Sequence, residues 1–175
     1  YAGDYASQRH SPLRQIHTGN VRNLVPKWVY HVANAKKLEV SPIVYNGVMY
    51  ITDSNEVQAL DARTGRRIWQ YEVEGVRGER VNRGVAILGD RVYLLTTDAH
   101  LVAFNRINGA VLWQKEFASA KDGYFTTLAP LAVKDRIIVG VGGGGSGQRG
   151  FVAALSADTG DEMWRFWTVP AKGEP

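Results

Sequence analysis

The sequence contains no cysteine, which excludes disulfides and thiolate metal sites and leaves the redox compartment unreadable from cysteine usage. Histidine is sparse too. The four residues, at positions 10, 17, 31 and 100, form no i, i+4 pair and no His-x-His arrangement, so no zinc centre is expected. The longest apolar runs, such as Val85-Ala86-Ile87-Leu88, are strand-sized and far short of the roughly 20 residues a membrane helix needs. Nor is there a block of like charge: 21 Lys and Arg against 17 Asp and Glu leave a net charge of +4, scattered among acids and apolar positions. Such charges read as a solvated surface, and no nucleic-acid partner is expected. The chain begins at Tyr1 without a charged and then apolar leader, an absence that says nothing about export.

What the sequence does have is a hydrophobic fraction of 45% with 22% charged residues, the balance of a globular body. It also has an internal repeat. Val57-Gln58-Ala59-Leu60-Asp61-Ala62-Arg63-Thr64-Gly65 leads to Trp69, Leu101-Val102-Ala103-Phe104-Asn105-Arg106-Ile107-Asn108-Gly109 to Trp113, and Val152-Ala153-Ala154-Leu155-Ser156-Ala157-Asp158-Thr159-Gly160 to Trp164. A fourth, partial copy ends at Trp28, and the successive tryptophans stand 41, 44 and 51 residues apart, close to the period of a four-stranded propeller blade.

Upstream of the first copy, Pro42-Ile43-Val44 and Val48-Met49-Tyr50-Ile51 flank Asn46-Gly47, the strongest short hairpin signal because both residues tolerate positive φ. Gly89-Asp90 and Lys134-Asp135 take the same place in the next repeats. The Asx/Ser-x-x-Thr/Asn-Gly segment makes a second turn, so each repeat is two hairpins. With no helical period sustained over three turns, the expected fold is an all-β propeller with blades at about 42–73, 84–117 and 129–168, and a spare strand around Trp28. Three blades do not close a ring, so residues 1–175 are expected to form an open segment of something longer, with blade faces uncovered.

The segments Tyr1-Ala2-Gly3-Asp4-Tyr5, Gln8-Arg9-His10-Ser11-Pro12-Leu13 and Leu24-Val25-Pro26-Lys27-Trp28 resemble the opening of mature pyrroloquinoline quinone (PQQ)-dependent alcohol dehydrogenases. Asn82-Arg83-Gly84-Val85-Ala86, Arg149-Gly150-Phe151-Val152-Ala153-Ala154 and Trp164-Arg165-Phe166-Trp167-Thr168-Val169-Pro170 are similar to that family's internal motifs, in the same order. The resemblance implies an eight-bladed periplasmic propeller that oxidises an alcohol with PQQ beside Ca²⁺ and passes electrons to an acceptor such as a cytochrome c. It also implies that the catalytic aspartate and remaining metal ligands come from blades absent here, so no catalytic or metal-binding residue is assigned within this chain.

For the cofactor, the resemblance implies three side-chain contacts. Arg83 matches the arginine that meets the quinone, and a guanidinium keeps its charge when desolvated against carboxylates. Glu39 matches the glutamate that hydrogen-bonds the cofactor's edge. Thr127 matches a threonine whose hydroxyl contacts PQQ, with Thr126 beside it as the alternative register. The loop from Gly140 to Gly147 contains Gly-x-Gly-x-x-Gly, but a dinucleotide loop requires a helix next, and Phe151 to Leu155 reads as a strand. The resemblance instead brings Gly142, Gly143 and Gly144 beside the quinone.

Two positions depart from the family. Adjacent cysteines that form a small disulfide ring over the quinone are replaced by Arg77 and Gly78, and a calcium-binding glutamate is replaced by Gly145. These departures keep a second reading open, a non-catalytic propeller that presents loops to other proteins.

Overall fold

The computed structural model describes residues 6, 8–33, 35, 37–73 and 80–174; the opening Tyr1-to-Tyr5 motif and the positions Arg77 and Gly78 lie outside the described residues. Three four-stranded antiparallel sheets follow one another. The first holds β1 (Ile43–Tyr45), β2 (Val48–Asp53), β3 (Glu56–Asp61) and β4 (Arg67–Glu72). The second holds β5 (Ala86–Leu88), β6 (Arg91–Leu95), β7 (His100–Asn105) and β8 (Val111–Glu116), and the third β9 (Leu131–Val133), β10 (Arg136–Gly140), β11 (Phe151–Ser156) and β12 (Glu162–Trp167). Within each sheet the spatial order is the chain order, the meander that two consecutive hairpins per repeat dictate. Asn46 and Gly47 take φ of 48° and 76°, the type I′ turn their sequence announces. These are blades of a propeller.

The blades stack through their faces. Val92 and Leu94 of β6 point back at Tyr50, Val57 and Ala59 of the first blade, while Tyr93 and Leu95 point forward at Ile137, Val139 and Ala153 of the third. Because β6 is buried on both faces, its sequence is a continuous apolar run from Val92 to Leu95 instead of an alternation. Among the described residues the third blade's far face has no such cover: Trp164 is 41% exposed where its counterpart Trp69 is 8% exposed.

The repeated Gly and Trp explain each other across blades. Asp61 Oδ1 accepts from the amides of Arg63 (3.0 Å) and Thr64 (2.8 Å), forming an Asx turn that ends at Gly65 with φ of 74°. A Cβ on Gly65 would lie 2.7 Å from the Trp28 ring; one on Gly109 would lie 2.7 Å from Trp69, and one on Gly160 2.6 Å from Trp113. Each glycine is therefore the seat of the preceding repeat's tryptophan. The indole N–H of Trp28 donates to Ala62 O (3.2 Å) and that of Trp69 to Arg106 O (3.1 Å), each three residues before the glycine. At the third seat, Arg91 Nη1 (2.7 Å) and Tyr93 Oη (2.9 Å) already occupy Ala157 O, and the buried Trp113 indole has no partner among the described residues. The segment around Trp28, expected as a spare strand, joins no sheet, because a ladder needs a partner strand; its tryptophan is seated all the same.

The turn side chains differ in acid response. Hydrogen bonds from the Thr64 hydroxyl and amide hold the Asp61 carboxyl below its usual range, so this turn is supported at neutral pH and weakens as pH falls through that lowered value. Asn105 and Ser156 fill the same position in the other repeats and carry no charge to lose.

Glycine substitutions separate the seat from the turn. Gly47→Ala meets open space at positive φ and costs about 1 kcal/mol. Gly109→Ala adds a collision with the Trp69 ring and is expected to cost roughly 1–3 kcal/mol more, read as a lower denaturation midpoint. Equal losses for the two variants would contradict the seating role.

Candidate functional site

An antiparallel meander gives each blade two ends. One end carries the hairpin turns after β1, β5 and β9 and the Asx turns that seat the tryptophans. The other carries the entries to those inner strands and the loops between the second and third strands of each blade. Glu39, Arg83 and Thr127 all precede an inner strand by three or four residues, so the topology delivers them to the same end from three successive blades.

Their side chains meet there. Arg83 Nη2 donates to Glu39 Oε2 at 2.7 Å, and Arg83 Nη1 donates to Thr127 Oγ1 at 2.6 Å and to Thr127 O at 3.2 Å. Sequence separations of 44 residues from Glu39 to Arg83 and from Arg83 to Thr127 mean that equivalent repeat positions have converged on one point. The Arg83 and Glu39 side chains are 48% and 45% exposed, so the pair contributes little to stability. What it supplies is a charged donor fork, an acceptor and a hydroxyl, open on the solvent side.

The Asn-Arg-Gly motif is built to present that fork. Asn82 is buried, its Nδ2 donating to Leu95 O (2.7 Å) and its Oδ1 accepting from Gly84 N (2.9 Å). Gly84 takes φ of 125°, and a Cβ there would lie 3.2 Å from Ser41 O. The Ser41 amide in turn donates to Arg83 O (3.2 Å). With Asn82 anchored inward and Gly84 bent against the first blade, Arg83 is directed outward between its two neighbours.

Thr126 and Thr127 have opposite fates. Thr126 is 1% exposed and its hydroxyl donates to Thr96 O (2.6 Å), a bond within the protein interior. Thr127 carries the hydroxyl that meets Arg83.

The glycine-rich loop lies at the same end, between β10 and β11. The Gly142 amide donates to Phe125 O (2.8 Å) in an antiparallel bridge, and Gln148 Nε2 donates to Asp122 O (2.6 Å). Gly143, with φ of 124°, is buried against Gly123 O, whereas Gly144 and Gly145 are exposed with open space around them. Among the described residues no hydrogen bond joins Gly142, Gly143 or Gly144 directly to the Glu39–Arg83–Thr127 group; the link runs through Phe125, two residues before Thr127. A cleft lined by Arg149, Arg165, Phe166 and Trp167 lies apart from this group, on the open edge strand β12. No cluster of three or more His, Cys, Asp or Glu suited to a metal occurs among the described residues.

The sequence profile of the PQQ glucose/ethanol/alcohol dehydrogenase β-propeller domain matches residues 1–175. The chain belongs to this quinoprotein family. It is 42% identical over 179 residues to the quinohemoprotein alcohol dehydrogenase ADH IIB of Pseudomonas putida, covering 98% of this chain and 26% of that protein. The crystal structure of a quinohemoprotein alcohol dehydrogenase from Comamonas testosteroni superposes with a TM-score of 0.90 at 36% identity, over 96% of this chain and 26% of the other. A europium-containing methanol dehydrogenase superposes with a TM-score of 0.87 at 32% identity, over 99% of this chain and 32% of that one. This quinoprotein chain thus spans between a quarter and a third of the length of these relatives.

Two threonine-to-valine substitutions separate the buried hydroxyl from the one that meets Arg83. Thr126→Val removes one of the two donors to the Thr96 carbonyl, which keeps the Ala99 amide at 3.1 Å, and is expected to cost about 1 kcal/mol of stability. Thr127→Val, at the solvent side, is expected to stay within about 0.5 kcal/mol of the parent. Chemical denaturation reads both, and the reverse order would exchange their roles.

Proposed function

We propose that the protein at its natural length oxidises an alcohol to an aldehyde or ketone with bound PQQ, and that residues 1–175 supply part of the quinone pocket. The observation that carries this reading is the convergence of Glu39, Arg83 and Thr127 from three blades on one point. PQQ is a planar, triply carboxylated ortho-quinone with a heterocyclic N–H, and the donor set fits it. Arg83 binds a carboxylate through its fork, the Thr127 hydroxyl adds a hydrogen bond, and a Glu39 side-chain oxygen accepts from the N–H edge. When bound, the quinone accepts the equivalent of a hydride from the alcohol carbon.

The backbone of Gly142, Gly143 and Gly144 borders the cofactor, where the absence of side chains permits close approach. The catalytic base, the electron acceptor and the periplasmic location rest on the family resemblance. An alcohol substrate agrees with relatives named quinohemoprotein alcohol dehydrogenases, and a haem-bearing acceptor such as a cytochrome c is in keeping with the haem in that name.

Calcium does not fit this loop. Asp135 and Asp158 both stand on the tryptophan-seating end, and no carboxylate lies between them in the sequence. Gly145 offers only backbone, and calcium takes several hard oxygen ligands whose negative charge offsets its own. A carboxylate at this position is sterically possible, because a Cβ on Gly145 meets nothing within 4 Å and its φ is not positive. This deficit is what favours the second reading, a propeller that presents loops to partners without catalysis.

Titration of the apo protein with PQQ, followed by fluorescence quenching, separates the readings. Saturable binding that weakens at least about tenfold in Arg83→Ala, with the melting temperature unchanged, is expected for the quinone site. No binding would favour the scaffold. Calorimetric titration of calcium into the PQQ-loaded protein is expected to give weaker binding than in Gly145→Glu. Equal affinities would mean that the loop needs no carboxylate.

A further inference from the structure

Outside the Glu39–Arg83–Thr127 group, a cation–ring contact lies at the same end. The Arg80 guanidinium carbon stands 3.6 Å above the centroid of the Phe125 ring. Phe125 is itself the clasp of the glycine-rich loop: its carbonyl accepts from the Gly142 amide at 2.8 Å, and a Cβ on Gly142 would lie 2.6 Å from the ring edge. The Arg80 carbonyl accepts from the Ser54 hydroxyl, which ties the arginine's backbone to the turn between β2 and β3.

Arg80 precedes Arg83 by three residues, and Phe125 precedes Thr127 by two. The two arginines of one connector thus grip the same segment, one through the Phe125 ring and the other through the Thr127 hydroxyl and carbonyl. Stacking occupies a face of the Arg80 guanidinium but none of its N–H donors. Among the described residues no acceptor reaches those donors, and the residue is exposed. A cation fixed by an aromatic ring, with its donors unspent, loses little freedom on meeting an anion.

We propose that Arg80 is a second anion-binding residue of this site, gripping a further carboxylate of the ligand, and that Phe125 is the positioning residue that holds both Arg80 and the glycine-rich loop in place. This rests on the quinone-site reading above and extends it. A ligand with several carboxylates gains from two separated guanidinium forks, and one with a single carboxylate does not. The pair therefore selects for polyanionic planar ligands. Arg80→Gln removes the charge at an exposed position, and the fold is expected to tolerate it.

The test is the equilibrium affinity for PQQ, read by fluorescence quenching at two salt concentrations, in the protein at its natural length and in Arg80→Gln, Phe125→Leu and Arg83→Ala. The expected result is a loss of about tenfold for Arg80→Gln with an unchanged melting temperature and a shallower salt dependence than the parent. Phe125→Leu should weaken binding and also speed hydrogen exchange at the Gly142 amide. If the parent binds PQQ and Arg83→Ala weakens it while Arg80→Gln matches the parent in affinity and salt dependence, the proposal for Arg80 is overturned and the quinone site stands. If the parent itself does not bind PQQ, the underlying reading falls, and this proposal with it.

Discussion

The structure depends on a contact between two side chains of the simplest and the largest kind. A glycine held at positive φ by an Asx or Ser turn lies against the tryptophan of the preceding repeat, at a distance that leaves no room for a Cβ. Because the turn is anchored in one sheet and, for Trp69 and Trp113, the indole in another, the contact fixes the spacing between sheets and closes the apolar layers between them. It recurs at Trp28, Trp69 and Trp113. All of these seats lie at one end of the blades, which leaves the other end free of the packing constraint. That free end is where the inner strands begin and where Glu39, Arg83 and Thr127 meet.

The division explains which parts of the molecule were legible in the sequence. The blade pattern was plain, because hairpin turns need residues that accept positive φ and because the period of the tryptophans matches four strands. The meaning of the Gly and Trp was hidden. They stand four residues apart within each copy, yet the contact joins the glycine of one copy to the tryptophan of the copy before. Nothing within one repeat could show that. The strand expected around Trp28 was a similar limit: the side chain has its seat, while the backbone lacks a neighbour to pair with.

At the site, the family resemblance singled out Arg83 and Glu39 as expected cofactor contacts, and the 44-residue separations supply a physical reason for their meeting. The choice between Thr126 and Thr127 stayed open in the sequence because adjacent residues in extended chain point opposite ways and either could face the ligand. In the fold only Thr127 joins the Arg83 group, since the buried Thr126 hydroxyl donates to Thr96 O. Arg80 and Phe125 carried no signal at all. They are 45 residues apart in irregular segments, and only the folded chain brings the ring beneath the guanidinium. The loop that resembles a metal-ligand segment holds glycine instead, so Glu39 is the carboxylate that this end contributes to the group.

If the end bearing Glu39, Arg83 and Thr127 is a quinone pocket, PQQ must lie against Arg83 there. A crystal structure of the natural-length protein loaded with PQQ reads this without an intermediary. The expected result is a planar ligand at this end, one carboxylate within about 3 Å of the Arg83 guanidinium and the Thr127 hydroxyl turned toward it. A quinone bound at the tryptophan-seating end, or bound with Arg83 still closed on Glu39 and Thr127 and out of its reach, would contradict it.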